Sequence, residues 1–115
     1  MLKIAVLIFA IGALGGLVMA MRILRGQLAP WALSLLHAAL GATGLVLTAL
    51  VVLGPGAPSM VSIALAILVI AALGGFYLAS IHARQQLPPK AVVFVHAGAA
   101  VVGFLLLACG AFALI

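Results

Sequence analysis

Apolar residues run along this chain in four long stretches, Leu2–Met21, Ala29–Leu53, Ser59–Ile81 and Lys90–Ile115. Each reaches the roughly 20 residues that an α-helix needs to cross the hydrocarbon core of a bilayer. The breaks between them are short. Residues 22–30 read RILRGQLAP and residues 82–90 read HARQQLPPK, each with a proline placed as an early residue of the helix that follows. Residues 54–58, GPGAP, form a tight uncharged turn. Short connections force neighbouring helices to run antiparallel, so the pattern predicts an all-α integral membrane four-helix bundle with up-down-up-down topology.

The pattern also occurs twice. Adding 59 to each number carries Pro30–Gly44, PWALSLLHAALGATG, onto Pro89–Gly103, PKAVVFVHAGAAVVG, with proline, histidine and glycine in the same three places. The register pairs residues 1–56 with 60–115 without a gap, and 20 of the 56 pairs are identical. Ala and Leu produce matches by chance in so apolar a chain. The identities nevertheless include Gly15/Gly74, Gly16/Gly75, Arg25/Arg84, Gln27/Gln86, Pro30/Pro89, His37/His96 and Gly44/Gly103. The chain is therefore a tandem repeat of two helical hairpins that together form one membrane domain.

Composition excludes a water-soluble domain: 70% of residues are hydrophobic, mean hydropathy is +1.60 and only 4% are charged. Asp and Glu are absent, and five Lys and Arg give a formal charge of +5. Any anion these cations hold comes from a ligand, a lipid headgroup or a partner. They are too few, in too apolar a setting, for nucleic acid. Without carboxylates, and with no matched nucleophile and base, the chain reads as a carrier or binding protein rather than a catalyst with its own acid–base machinery. Lone Cys109 forms no intrachain disulfide and is expected to serve packing.

Arg22, Arg25, Arg84 and Lys90 lie at one membrane face and Lys3 at the other. By the positive-inside rule this places connections 1 and 3 in the cytoplasm and both termini outside, as in a bacterial inner membrane. The first apolar run is long for a signal h-region and has a repeat partner mid-chain, so it is kept as helix 1. Trp31 and Tyr77 fit an interfacial aromatic belt, and Met19, Met21 and Met60 read as apolar filler.

The candidate chemistry lies in His37 and His96. Each follows its proline by seven residues, so at about 1.5 Å per residue both imidazoles sit at one depth, roughly 10 Å along helices 2 and 4. These helices are parallel and diagonal in such a bundle, with axes about 11–14 Å apart if neighbours are spaced as in ordinary helix packing. That span suits two imidazoles binding one central metal from opposite sides. The bland alternative is an interhelical hydrogen bond to Ser34, Thr43 or a backbone carbonyl. Gly41 and Gly44 lie above His37 on its face, Ala100 and Gly103 lie above His96, and Gly15-Gly16 and Gly74-Gly75 reach nearly the same depth. These small residues either leave a slot for a flat cofactor or simply allow close helix packing. A bare ion normally needs three or more protein ligands, whereas a porphyrin supplies four nitrogens and needs only axial partners.

In architecture, and in His37-x-x-x-Gly41-x-x-Gly44 and His96 with Gly103, the chain resembles the small membrane b-type cytochromes, four-helix bundles that hold haem between histidines of different helices. The resemblance implies one haem b with axial ligands His37 and His96, a slot bounded by Gly15, Gly16, Gly41, Gly44, Gly74, Gly75 and Gly103, and cations such as Arg25 and Arg84 for the propionates. It further implies electron transfer to or from a quinone in the bilayer or a partner redox protein. Two other classes stay open: a small channel or transporter with a paired-histidine constriction, and an accessory subunit of a larger membrane complex. A chlorophyll-type pigment is a further candidate ligand. His82 has no repeat partner, since Ile23 takes its place, and is expected to be exposed or at a lipid headgroup.

Overall fold

The computed structural model describes residues 1–113 and contains four α-helices: α1 (Leu2–Leu24), α2 (Trp31–Leu53), α3 (Ser59–Ala83) and α4 (Lys90–Phe112). All four are long and apolar enough to cross a membrane. The final two residues of the fourth apolar stretch lie outside the described residues. α1 packs against α2 and α4, and α3 against α4 and α2, so α2 and α4 are diagonal partners. Contacts are densest within each hairpin, α1 with α2 and α3 with α4. The seam between hairpins is the looser one.

The connections repeat as well. α1 ends with Arg25 as its cap, Gly26 at φ 77° and a hydrogen bond from Gln27 N to Arg22 O of 2.9 Å. α3 ends in the same way, with Gln85 at φ 55° and Gln86 N to Ile81 O at 3.2 Å. This is the six-to-one closure that reverses a chain through one left-handed residue. The prolines sit one residue earlier than expected. Pro30, Pro58 and Pro89 are caps with ψ near 140°, and their carbonyls receive the first helical N–H groups. The extended ψ keeps a cap residue outside the helix while its carbonyl begins the ladder.

The bundle has a solid end and a hollow end. At the end bearing the termini and the middle turn, Val6, Val61, Ala64, Leu68 and Leu107 form a buried cluster, with Phe9, Leu45 and Phe104 packed around it. Glycines admit these side chains. A Cβ on Gly44 would stand 2.6 Å from Phe9 Cζ, and one on Gly103 would stand 2.7 Å from Leu68 Cγ. Phe9 and Leu68 are themselves repeat equivalents, so both hairpins use one knob-and-hole contact. Thr48 is fully buried, and its hydroxyl donates to Gly44 O at 2.8 Å. Ile4, Leu7, Ile11, Leu14, Ile70 and Val95 face outward, as helices in lipid require.

Gly44→Leu and Gly103→Leu should each destabilise the fold by about 1–3 kcal/mol, the usual cost of overpacking, lowering the thermal midpoint seen by circular dichroism in detergent. Gly41→Ala, where a new Cβ meets nothing within 4 Å, should leave that midpoint unchanged or raise it slightly.

Candidate functional site

His37 and His96 meet where the solid end gives way to the hollow one. His37 Nδ1 lies 2.8 Å from Gly12 O on α1, and His96 Nδ1 lies 2.7 Å from Ala71 O on α3. Gly12 and Ala71 are also 59 residues apart, so the hydrogen bond was duplicated with the histidine. A carbonyl has no proton to offer, so Nδ1 carries the N–H in both rings. Each neutral ring then keeps its lone pair on Nε2.

Glycine makes this contact possible. In a helix the side chain of residue i+4 lies over the carbonyl of residue i, where it would cover the acceptor. The residues four after Gly12 and Ala71 are Gly16 and Gly75. A Cβ there would stand 2.8 Å from His37 Cε1 and 3.0 Å from His96 Cε1. The ring centroids are 6.2 Å apart and the ring planes cross at 81°. With metal–nitrogen bonds of about 2.0 Å and about 1.1 Å from nitrogen to ring centre, two imidazoles on opposite sides of one metal have centres roughly 6.2 Å apart. The spacing matches an axial pair. Among the described residues no group of three or more His, Cys, Asp or Glu side chains is placed to hold an ion. A bare metal here would have to complete its shell from water.

A cavity of about 240 Å³ adjoins the rings, lined by His37, His96, Gly16, Gly75, Ser34 and mostly aliphatic side chains. It extends from Val101, about 8 Å beyond His96 at the helical rise, to Ala29 and Pro88 at connections 1 and 3. Its volume is below the roughly 300–1,000 Å³ of common ligand sites, so a whole macrocycle requires the hairpins to part slightly. The looser seam is where they would do so. On these observations the two imidazoles have the spacing of an axial pair, and the adjoining cavity is smaller than a macrocycle needs.

Several sequence-predicted roles change. Gly16 and Gly75 seat the imidazoles, while the space beside Gly44 and Gly103 is filled by Phe9 and Leu68. Gly15 faces Leu33 Cδ1 at 3.6 Å, and Gly74 backs the His96 Cβ at 3.7 Å. Gly41 alone among these seven has open space beside it. Arg25 and Arg84 are exposed and line no part of the cavity, and Arg84 Nε turns back to Ser80 O at 3.3 Å. His82, expected to be exposed or at a lipid headgroup, is not fully exposed. It is half-buried, lines the cavity, bonds Ala29 O through Nε2 at 2.9 Å and meets the Trp31 ring edge-on at 4.8 Å. All three histidines of the chain thus border one cavity. The sequence did contain a signal for the carbonyl acceptors, since Gly16 and Gly75 are identical across the repeat. Nothing in it pointed to Ala29.

No protein-family model matches the chain, and neither a curated protein nor a solved structure is similar to it at a significant level.

In protein prepared without added cofactor, ¹⁵N spectra of labelled histidine should show protonated Nδ1 and bare Nε2 for His37 and His96. Gly16→Val should move the His37 signals and leave those of His96 nearly unchanged.

Proposed function

We propose that the protein is a membrane electron carrier that holds one b-type haem between His37 and His96. The observation that carries this reading is the duplicated pair of imidazoles, each locked through Nδ1 to a neighbouring helix, with Nε2 unengaged and ring centres 6.2 Å apart. A ligating histidine commonly donates its second N–H to a carbonyl, which fixes the ring and raises the basicity of the ligating nitrogen. Gly12 O and Ala71 O serve that purpose here, and they connect both ligands to helices rather than loops.

A haem in this place would be held by His37 and His96 and would supply one-electron chemistry. The chain's own part is to orient the two nitrogens, exclude water with Phe9 and Leu68 at one end, and surround the ring with aliphatic side chains. A lower local dielectric disfavours the more charged oxidation state, so the wall tunes the potential. The electron partner is a bilayer quinone or another redox protein, reached from connections 1 and 3 on the cytoplasmic side of a bacterial inner membrane. The same bundle can serve as one subunit of a larger complex. The packing gives little support to a channel, because Phe9 on Gly44 and Leu68 on Gly103 fill the path beyond the histidines.

Purified protein expressed with ample haem should show a six-coordinate low-spin spectrum, with sharp reduced-minus-oxidised bands. His37→Ala or His96→Ala should each abolish it, and His82→Ala should retain it. A colourless wild-type protein, or an unaltered spectrum in either ligand variant, overturns the assignment.

A further inference from the structure

We propose that the haem-free bundle binds one soft monovalent cation, Cu(I), between His37 Nε2 and His96 Nε2, with the thioether of Met19 as a third donor. The site uses the same two nitrogens as the haem reading but not its ring. It therefore does not rest on that reading, and either ligand excludes the other.

The donors present select the ion. Each histidine gives its Nδ1 proton to a carbonyl, Gly12 O at 2.8 Å and Ala71 O at 2.7 Å, so each Nε2 offers a lone pair without first losing a proton. The ring centres are 6.2 Å apart, the span of two imidazoles with one ion between them at about 2.0 Å from each nitrogen. An ion that prefers four ligands would have to draw water in among mostly aliphatic side chains. A closed-shell monovalent ion accepts two donors in line or three in a plane. Thioethers favour copper in its monovalent state, and imidazole is a good copper ligand.

Charge points the same way. The sequence has no Asp or Glu and both imidazoles are neutral in this tautomer, so an ion enters with its charge uncompensated. The cost of burying an ion grows with the square of its charge, roughly fourfold from one charge to two, which favours the monovalent species. Met19 lines the same cavity. It follows Gly16 by three residues, on the face of α1 against which the His37 ring lies, and about 4.5 Å nearer connection 1. Its repeat equivalent is Leu78, which also lines the cavity, so only the first hairpin carries the sulfur. A cavity of about 240 Å³, small for a macrocycle, is ample for an ion. It shares Leu28, Ala29 and His82 with an open groove of about 520 Å³ at the loop end, which provides a way in.

The test uses haem-free, detergent-solubilised full chain under argon. Titrated against the coloured bicinchoninate complex of Cu(I), wild type should withdraw one equivalent of the ion. His37→Ala and His96→Ala should each weaken retention by about a hundredfold or more, beyond what loss of a supporting hydrogen bond costs a metal site. Met19→Leu installs the residue that the second repeat already carries, so it should leave helix content unchanged while weakening retention several-fold. Ag(I), which does not change oxidation state here, serves as a probe that needs no variant: in labelled wild type it should move the Nε2 signals of His37 and His96 and the methyl carbon of Met19, and leave those of His82 in place. Failure of wild type to retain Cu(I), or an Ag(I) shift confined to His82, overturns the site. Retention by Met19→Leu equal to that of wild type overturns the third donor. A chain that takes up haem with a low-spin spectrum but holds no Cu(I) loses this site and keeps the haem reading; one that holds Cu(I) but takes up no haem does the reverse.

Discussion

The interaction on which this structure depends is the hydrogen bond from an imidazole Nδ1 to a carbonyl of the neighbouring helix, made once in each hairpin. In hydrocarbon an unpartnered imidazole is expensive, and a carbonyl inside a helix is one of the few acceptors always at hand. Meeting it requires the ring to lie flat on a helix surface, and only a glycine one turn further along permits that approach. Gly12 with Gly16, and Ala71 with Gly75, provide the acceptor and the space. The bond chooses the tautomer, leaves the other nitrogen without a proton, and pins α1 to α2 and α3 to α4. The bland reading of the histidines, a backbone hydrogen bond, is thus realised.

The rest of the bundle divides around that level. Toward the termini the side chains grow and the glycines receive them, so Phe9, Leu68, Val61 and Leu107 pack together. Toward connections 1 and 3 small residues from all four helices leave space, and the hairpins meet there through one side-chain hydrogen bond among the described residues, His82 to Ala29. Tight hairpins are thus joined by a loose seam. The apolar contacts across that seam carry little net driving force in lipid, where the alternative to a neighbouring helix is an equally apolar acyl chain. A ligand bridging the two hairpins would therefore contribute a large share of their association.

Much of this was readable from the residues. Four apolar runs of spanning length, three short breaks and a 59-residue repeat sufficed for the bundle, its antiparallel topology and the diagonal placement of His37 and His96. The glycines were harder. Their positions showed that something approaches the helices closely, but an imidazole, a phenyl ring and a porphyrin all ask for the same missing Cβ. Gly16 and Gly44 therefore read alike in the sequence, although one receives His37 and the other Phe9. The cations show a related limit: repetition draws attention to Arg25 and Arg84, whereas the cavity is lined by the unmatched His82 and by neither arginine.

What the sequence determined by itself is whatever follows from counting along a helix: length against bilayer thickness, depth against residues from a proline, and one hairpin against its copy. These are local or repeated quantities, and the helical rise converts them directly into distance. Only the tertiary structure decided how the rings are turned, which glycine meets which side chain, and that His82 reaches back to Ala29 across 53 residues. Those outcomes depend on the rotation of each helix about its own axis. Helices this uniformly apolar have no polar face to specify that rotation, so it is left to the fit of side chains in the assembled bundle.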